Sequence, residues 1–146
     1  MVNMKKITLA LTFLTFAGLS HARNDVILLP LQDVVEQGLA SGKLDGSVKF
    51  YLSGAETPTL EAKLGDDVSN KKTNGVGKTD EDGCRWAALS ALIAFQHSAK
   101  QKGANAVVDM HSFYKRKEFK HVANYECHAG NIVVGVALKG TYATVR

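Results

Sequence analysis

The stretch at residues 84–112, CRWAALSALIAFQHSAKQKGANAVVDMHS, decides the fold. With successive residues about 100° apart on a helical wheel, its first part has one bulky apolar face and one face of small, weakly polar residues. This pattern predicts a long core helix that packs its bulky face on a sheet. Acidic residues 80–82 suit the positive end of the helix dipole, and Gly103 suits the C-terminal end of the helix. The bulky face consists of Trp86, Ala88, Leu89, Leu92, Ile93, Phe95 and Ala99, and the small face of Ala87, Ser90, Ala91, Ala94, Ser98 and Gln101.

Short segments predict strands on both sides of this helix, and the first two alternate apolar and polar residues. These segments lie at residues 47–54, 57–65, 104–112, 121–129 and 131–140. Gly54 and Pro58 predict a hairpin between the first two, and the polar residues 66–83 predict a long loop before the helix. The last strand is apolar or small on both faces, which predicts a central position in the sheet.

The predicted elements define the fold class. The 146 residues of the chain suffice for one domain. Apolar residues at three- and four-residue spacing after Pro30 predict a short N-terminal helix. The predicted fold is therefore α+β: a single small domain with a mainly antiparallel sheet, one long core helix packed on one face, and a short N-terminal helix.

The N-terminus has the pattern of a secretory signal peptide. Two lysines at positions 5 and 6 precede an uncharged apolar run at residues 7–19, and small residues flank His21 at a cleavage site. An uncleaved membrane anchor is the alternative, but the run is shorter than the roughly 20 residues that a transmembrane helix needs. We therefore predict a signal peptide at residues 1–22, a mature domain at residues 23–146, a periplasmic location, and no transmembrane segment after cleavage.

Cys84 and Cys127 are the two cysteines of the chain. An exported protein enters an oxidising compartment, and two cysteines allow a single connectivity, so a structural disulfide between them is predicted. A pair of free thiols is the alternative, because Cys84 begins the predicted helix and a helix N-terminus favours the reactive thiolate.

Basic residues are the main charged feature of the chain. The formal net charge is +4, part of which belongs to the lysines of the signal peptide, so bulk charge does not indicate nucleic acid. Lys115, Arg116, Lys117 and Lys120 cluster among aromatic residues after the strand at residues 104–112. This cluster predicts an anion-contacting surface for an anionic envelope component, with an ordinary solvated turn as the alternative.

Three histidines in the later strands, His111, His121 and His128, are candidate metal ligands. Imidazoles that converge from neighbouring strands bind zinc or copper. The short ligand spacings of metal sites are missing from the sequence, so ordinary surface or half-buried histidines are the alternative.

Catalytic and nucleotide sites are not indicated. Cys127 and His128 are adjacent, and adjacent strand residues point to opposite faces, which argues against a thiolate–imidazole pair. Gly77-Lys78-Thr79 matches the end of a phosphate-binding loop, but position 72 is lysine where the motif needs glycine, and acidic residues follow. We therefore expect no enzyme, no cofactor and no nucleic-acid partner.

A resemblance adds to this interpretation. The string KTNGVGKTDEDGCRWAALSALIAFQHSAKQKGANAVVDMHSFYK, followed by YECHAG and VVGVALKG, resembles a family of small exported proteobacterial proteins of unknown role, some of which are labelled "excinuclease ATPase subunit". More remotely, the helix, GANAVV and a cysteine before the last strand are similar to the Rcs envelope-stress lipoprotein and to the YbjQ-type domains labelled heavy-metal-binding. In the stress lipoprotein a disulfide ties the start of the helix to the segment before the last strand. Cys84 and Cys127 fall at the matching positions, so the resemblance implies the same bridge.

These observations lead to one predicted function and two alternatives. The sequence predicts a soluble periplasmic binding or interaction domain of the cell envelope, stabilised by one disulfide and without catalytic activity. Its partner would be an envelope protein or an anionic envelope component. The first alternative is a metal- or small-ligand-binding module that uses the strand histidines. The second, which the signal peptide disfavours, is a nucleotide-dependent DNA-repair component.

Overall fold

The computed structural model describes residues 22–146, so the predicted signal peptide lies, apart from its last residue, outside the described part of the chain. The described residues form an α+β domain of six strands and two helices. In chain order these are β1 (Asp25–Pro30), α1 (Leu31–Ala40), β2 (Lys49–Leu52), β3 (Leu60–Asn74), α2 (Asp80–Gln101), β4 (Ala106–Ser112), β5 (Asn124–Ala129) and β6 (Val133–Val145). A 3₁₀ turn, Tyr114–Arg116, lies between β4 and β5.

All six strands form one sheet around β6, the strand predicted to be central. β3 pairs antiparallel with β6 from Val133 to Val145. The opposite edge of β6 is shared by β5, which pairs near its start, and by β4, which pairs with Leu138 to Ala143. β1 extends the sheet beyond β5, and β2 extends it beyond β4. All of these pairs except β2 with β4 are antiparallel, which confirms the mainly antiparallel sheet.

The predicted hairpin between residues 47–54 and 57–65 is wrong. β2 pairs in parallel with β4, whereas β3 pairs with β6 on the opposite side of the sheet. Alternation within a strand predicts one buried face but carries no information about the partner strand. Burial decides the partner of β2, since Leu52 pairs with Met110 and both belong to the apolar core.

The predicted loop at residues 66–83 is wrong as well, because β3 continues to Asn74 and α2 begins at Asp80. β3 is polar because it is an edge strand: β6 is its one partner among the described strands, and most of its residues are exposed. Charged side chains on such an edge discourage pairing with a second chain. The turn that remains ends at Thr79, whose hydroxyl caps α2 by accepting a hydrogen bond from the backbone N–H of Asp82 at 3.1 Å.

Helix α2 confirms the predicted core helix and buries most of its predicted bulky face, but the buried surface is wider than that face. Ala87 of the predicted small face is buried, whereas Trp86 of the predicted bulky face is 42% exposed. Small residues let α1 approach α2 closely, since a Cβ added to Gly38 of α1 would lie 2.8 Å from Leu89 of α2. The Trp86 ring instead lies on the surface, with the Lys43 ammonium 4.9 Å from its centre. The helix therefore has apolar neighbours on more than one side.

The predicted disulfide is confirmed, and the free-thiol alternative is wrong. Cys84 at the start of α2 is bonded to Cys127 of β5, and both residues are fully buried. The bridge fixes the first turn of α2 to the sheet, with the two Cα atoms 5.8 Å apart. Neither α1 nor α2 combines the length and the apolar character that crossing a membrane requires.

The two faces of the sheet differ. The inner face packs against α2, and β6 contributes Val134, Val136 and Leu138 to its core. Successive strand residues point to opposite faces, so Val133 and Gly135 lie on the outer face, away from α2. The candidate functional site lies on this outer face.

Candidate functional site

The connection from β4 to β5 crosses the outer face and brings polar side chains together there. Backbone hydrogen bonds fix its first part: Phe113 donates to the carbonyl of Ala137 at 2.8 Å, and Phe119 donates to that of Ser112 at 2.9 Å. The Ser112 hydroxyl bridges the two strands by accepting from the backbone N–H of Glu126 at 2.7 Å. The predicted cationic cluster therefore lies on a loop that is tied to the sheet.

Two consecutive residues of this loop have a left-handed backbone. Lys115 has a φ of 51° and Arg116 a φ of 64°. Residues other than glycine lose roughly 1 kcal/mol or more in this region, so surrounding contacts must hold the loop in place. One such contact is the stack of Tyr114 on His128, whose ring centres lie 3.4 Å apart with 11° between the ring planes.

Gly135 of β6 forms the floor beneath this stack. A Cβ at this position would lie 3.8 Å from the Tyr114 ring and 3.7 Å from the Lys72 side chain of β3. The Nε2 atom of His128 lies 2.5 Å from the Glu126 carboxylate, which holds the ring in position. The register of three strands and the β4–β5 loop thus brings these side chains to one place.

A groove of about 390 Å³ opens beside the stack, and we call it the basic groove. Its lining includes Arg23, Lys72, Tyr114, Lys115, His128 and Gly135. The cationic residues come from three separate segments of the chain. No aspartate or glutamate is among the described residues that line this groove.

The three cations of the basic groove differ in availability. Arg23 is paired with Asp25 at 2.7 Å and also with Asp80, and the hydrogen bond to Asp25 raises the pKa of the guanidinium. Lys72 and Lys115 have no ion-pair partner among the described residues. Two uncompensated ammonium groups at one groove make it suitable for an anionic group.

A second groove of about 400 Å³ adjoins the first, and we call it the mixed groove. The two grooves share Asn24, Tyr114, Lys115 and His128. The mixed groove adds Lys117, Glu118, Phe119 and Glu126. In contrast to the basic groove, its lining therefore has two carboxylates beside two ammonium groups.

The four predicted anion-contacting residues are distributed unevenly between the grooves. Lys115 lines both grooves and Lys117 lines the mixed groove, whereas Arg116 and Lys120 line neither. Lys72 was not among the predicted anion-contacting residues, because its segment was predicted as a loop and no local signal shows that β3 places it beside the groove floor. A correct register for β3 would have been needed to find it.

The three candidate metal ligands are not brought together. Among residues 22–146, no group of three or more histidine, cysteine, aspartate or glutamate side chains is placed to hold a metal ion. The Nδ1 atom of His121 accepts hydrogen bonds from the backbone N–H groups of Ala123 and Asn124 at 3.0 and 2.9 Å, so this residue orders the start of β5. His128 instead lines the two grooves.

His111 is buried with unmet bonding capacity. Its side chain is 4% exposed. Its protonated Nδ1 donates a hydrogen bond of 2.8 Å to the backbone carbonyl oxygen of Asp109. Its Nε2 has no hydrogen-bond partner among the described residues and lies 3.6 Å from the Glu118 carboxylate. A buried nitrogen without a partner is costly, so this atom is a specific point at which a ligand would be stabilised.

Comparison with protein-family models and with curated proteins gives no match for this chain. The function must therefore be inferred from the residues of the two grooves.

Proposed function

We propose that this chain is an exported, non-catalytic binding domain of the cell envelope, and that its basic groove holds an anionic group of the ligand. The observation that carries the proposal is the convergence of Lys72 and Lys115 on a groove that no carboxylate of the described residues lines. Like charges held together repel one another, and an anionic ligand relieves that repulsion. Phosphate and carboxylate are the groups that such cations bind through charge-assisted hydrogen bonds.

The proposed location is the periplasm. The signal-like residues 1–22 and the disulfide between Cys84 and Cys127 both support an oxidising compartment outside the cytoplasm. The intact mass of the exported protein checks this, because cleavage after Ala22 leaves a chain that begins at Arg23. Retention of residues 1–22 would contradict export by a cleaved signal.

Titration of the oxidised, exported protein with inorganic phosphate, followed by NMR chemical shifts, tests the groove. We expect chemical-shift changes at residues that line the basic groove. Lys72→Glu should lower the affinity for phosphate by at least about tenfold, because a charge-assisted contact becomes a repulsion. Lys120→Glu is the matched control, since it makes the same charge change but lines neither groove. Equal losses in the two variants would indicate bulk charge alone and would contradict a site.

Divalent metal binding is a second candidate function, favoured by the contacts of His111. A metal-binding histidine normally donates its other ring N–H to a carbonyl or carboxylate, as His111 does to Asp109. The Nε2 atom and the Glu118 carboxylate, 3.6 Å apart, are close enough to share one ion completed by water.

Calorimetric titration with Zn²⁺ tests this second candidate. His111→Ala should abolish Zn²⁺ binding because it removes Nε2, the one buried side-chain nitrogen of the described residues that has no hydrogen-bond partner. His121→Ala should retain binding, since His121 already accepts two backbone hydrogen bonds. Absence of Zn²⁺ binding by the unsubstituted protein would contradict this second candidate function.

A further inference from the structure

We infer that the ligand carries a primary amine close to its anionic group, and that the mixed groove binds this amine. The inference rests on the proposed function of the basic groove. The two grooves adjoin and share Asn24, Tyr114, Lys115 and His128. One small ligand with two charged ends can therefore occupy both grooves at once.

The carboxylates of the mixed groove have unmet acceptor capacity. A carboxylate accepts up to about four hydrogen bonds. The side chain of Glu126 is 18% exposed, and its one hydrogen-bonded neighbour among the described residues is His128 at 2.5 Å. Glu118 accepts no hydrogen bond from the described residues, and His111 lies 3.6 Å from it. A primary ammonium supplies three N–H donors, which matches this surplus of acceptors.

Aromatic rings strengthen the preference for an ammonium group. Tyr114 and Phe119 both line the mixed groove. The faces of such rings attract cations, and the Lys115 ammonium already lies 5.7 Å from the centre of the Tyr114 ring. Since His128 is stacked on Tyr114 and the Lys115 ammonium lies near that ring, an incoming ammonium would meet the two carboxylates and the Phe119 ring.

The charge of the mixed groove selects against a simple cation. Lys115 and Lys117 line it together with Glu118 and Glu126, so the lining has no net negative charge. A bare cation gains little from such a lining. A ligand that places its own anion in the basic groove gains from both grooves, so a zwitterion fits the pair better than either single charge.

Lys72 and Lys115, which have no ion-pair partner among the described residues, favour phosphate over carboxylate as the anion of the ligand. A phosphate monoester carries close to two negative charges at neutral pH, whereas a carboxylate carries one. The ligand class is therefore a phosphate joined to a primary amine by a short chain, as in the phosphoethanolamine unit. This unit occurs as a free phosphate monoester and also as the headgroup of a phospholipid, where the phosphate is a diester with one negative charge but still offers oxygens to the two ammonium groups.

A matched pair of ligands tests the inference on the oxidised, exported protein. Phosphoethanolamine and ethyl phosphate differ in the amine, and we expect the former to bind about tenfold more tightly. Glu118→Gln should reduce that ratio, because the ammonium loses one charged acceptor. Lys72→Glu should weaken the binding of both ligands. Glu118 is the better choice than Glu126 because Glu126 also holds the His128 ring.

The outcomes separate this inference from the proposed function. Equal affinity for the two ligands, or an unchanged ratio in Glu118→Gln, overturns the inference and leaves the anion site intact. Failure of the protein to bind either ligand overturns both. Vesicles of phosphatidylethanolamine, compared with vesicles of phosphatidylcholine, identify the source: selective co-sedimentation assigns the headgroup, and binding of the soluble compound alone assigns the free molecule.

Discussion

The inner and outer faces of the sheet use the same strands for different purposes. In β6, Val136 and Leu138 belong to the apolar core, whereas Gly135 forms the floor of a charged groove. Side chains alternate along a strand, so each strand divides its residues between the two faces. The comparison indicates that stability is concentrated on the inner face and ligand chemistry on the outer face. Substitutions on the two faces should therefore have different consequences.

Loss of the disulfide should have the largest effect, because it anchors the inner face to α2. Cys84→Ala should lower the free energy of unfolding by about 2–5 kcal/mol, since the bridge closes a long loop in the unfolded chain. Cys127→Ala should cost nearly the same, and the double variant little more, because all three lose one interaction. Urea unfolding measures these values. Two reactive thiols in the unfolded, unreduced protein would contradict the bridge.

Two glycines of β6 allow the packing of the two sheet faces to be compared within one strand. A Cβ on Gly140 would lie 2.6 Å from Val107 and 3.0 Å from Met110, whereas a Cβ on Gly135 would meet nothing closer than 3.7 Å. Gly140→Ala should therefore destabilise by about 1–3 kcal/mol through overpacking. Gly135→Ala should change stability by less than about 0.5 kcal/mol. Equal costs in urea unfolding would remove the distinction between a packed face and an open one.

Tyr142, on the inner face, makes the stability of the domain depend on pH in the alkaline range. Burial, followed by the hydrogen bond from its hydroxyl to Asp67 at 2.7 Å, raises the pKa of Tyr142 to about 12. An unfolded tyrosine titrates near pH 10, so above about pH 10 the unfolded chain binds fewer protons than the folded one. Stability should then fall as the pH rises from 10 towards 12, and it should not depend on this residue below pH 10.

The variant Tyr142→Phe should make this alkaline decline shallower, because phenylalanine has no proton to release. Burial also raises the pKa of Tyr125, which keeps its own share of the decline. The free energy of unfolding, measured at several pH values across that window, checks the prediction. Tyr114→Phe, on the outer face, serves as the matched control. An identical pH profile in Tyr142→Phe and the unsubstituted protein would show that another group causes the decline.

The smallest effect is expected on the outer face, at the left-handed turn. Arg116→Gly should raise stability by up to about 1 kcal/mol, because glycine adopts a φ of 64° without a steric cost. Lys117→Gly, where φ is −99°, should instead lower stability slightly. Phosphate binding should be unchanged in Arg116→Gly, since Arg116 lines neither groove. Similar stability changes in both variants would mean that the turn is not strained.

The predictable part of the fold depended on signals that are local in sequence. The apolar periodicity of residues 84–101 identified α2, and the apolar character of residues 131–140 identified β6 as central. The candidate site was only partly predictable. Lys115 and Lys117 were predicted to contact an anion, but Lys72 and Arg23 were not, because the groove joins segments that are far apart in the chain.

By itself, the sequence determined the α+β class, the core helix and the one possible disulfide, since periodicity and a count of cysteines suffice for these. Only the tertiary structure decided the partners of β2 and β3, the exposure of Trp86 and the composition of the two grooves. Backbone hydrogen bonds are alike for any pair of strands, so their partners are chosen by which arrangement buries the most apolar surface. The register of β3, an exposed edge strand, is instead matched by polar contacts, because Asp66 and Asp67 accept hydrogen bonds from Thr141 and Tyr142, and this register places Lys72 beside Gly135.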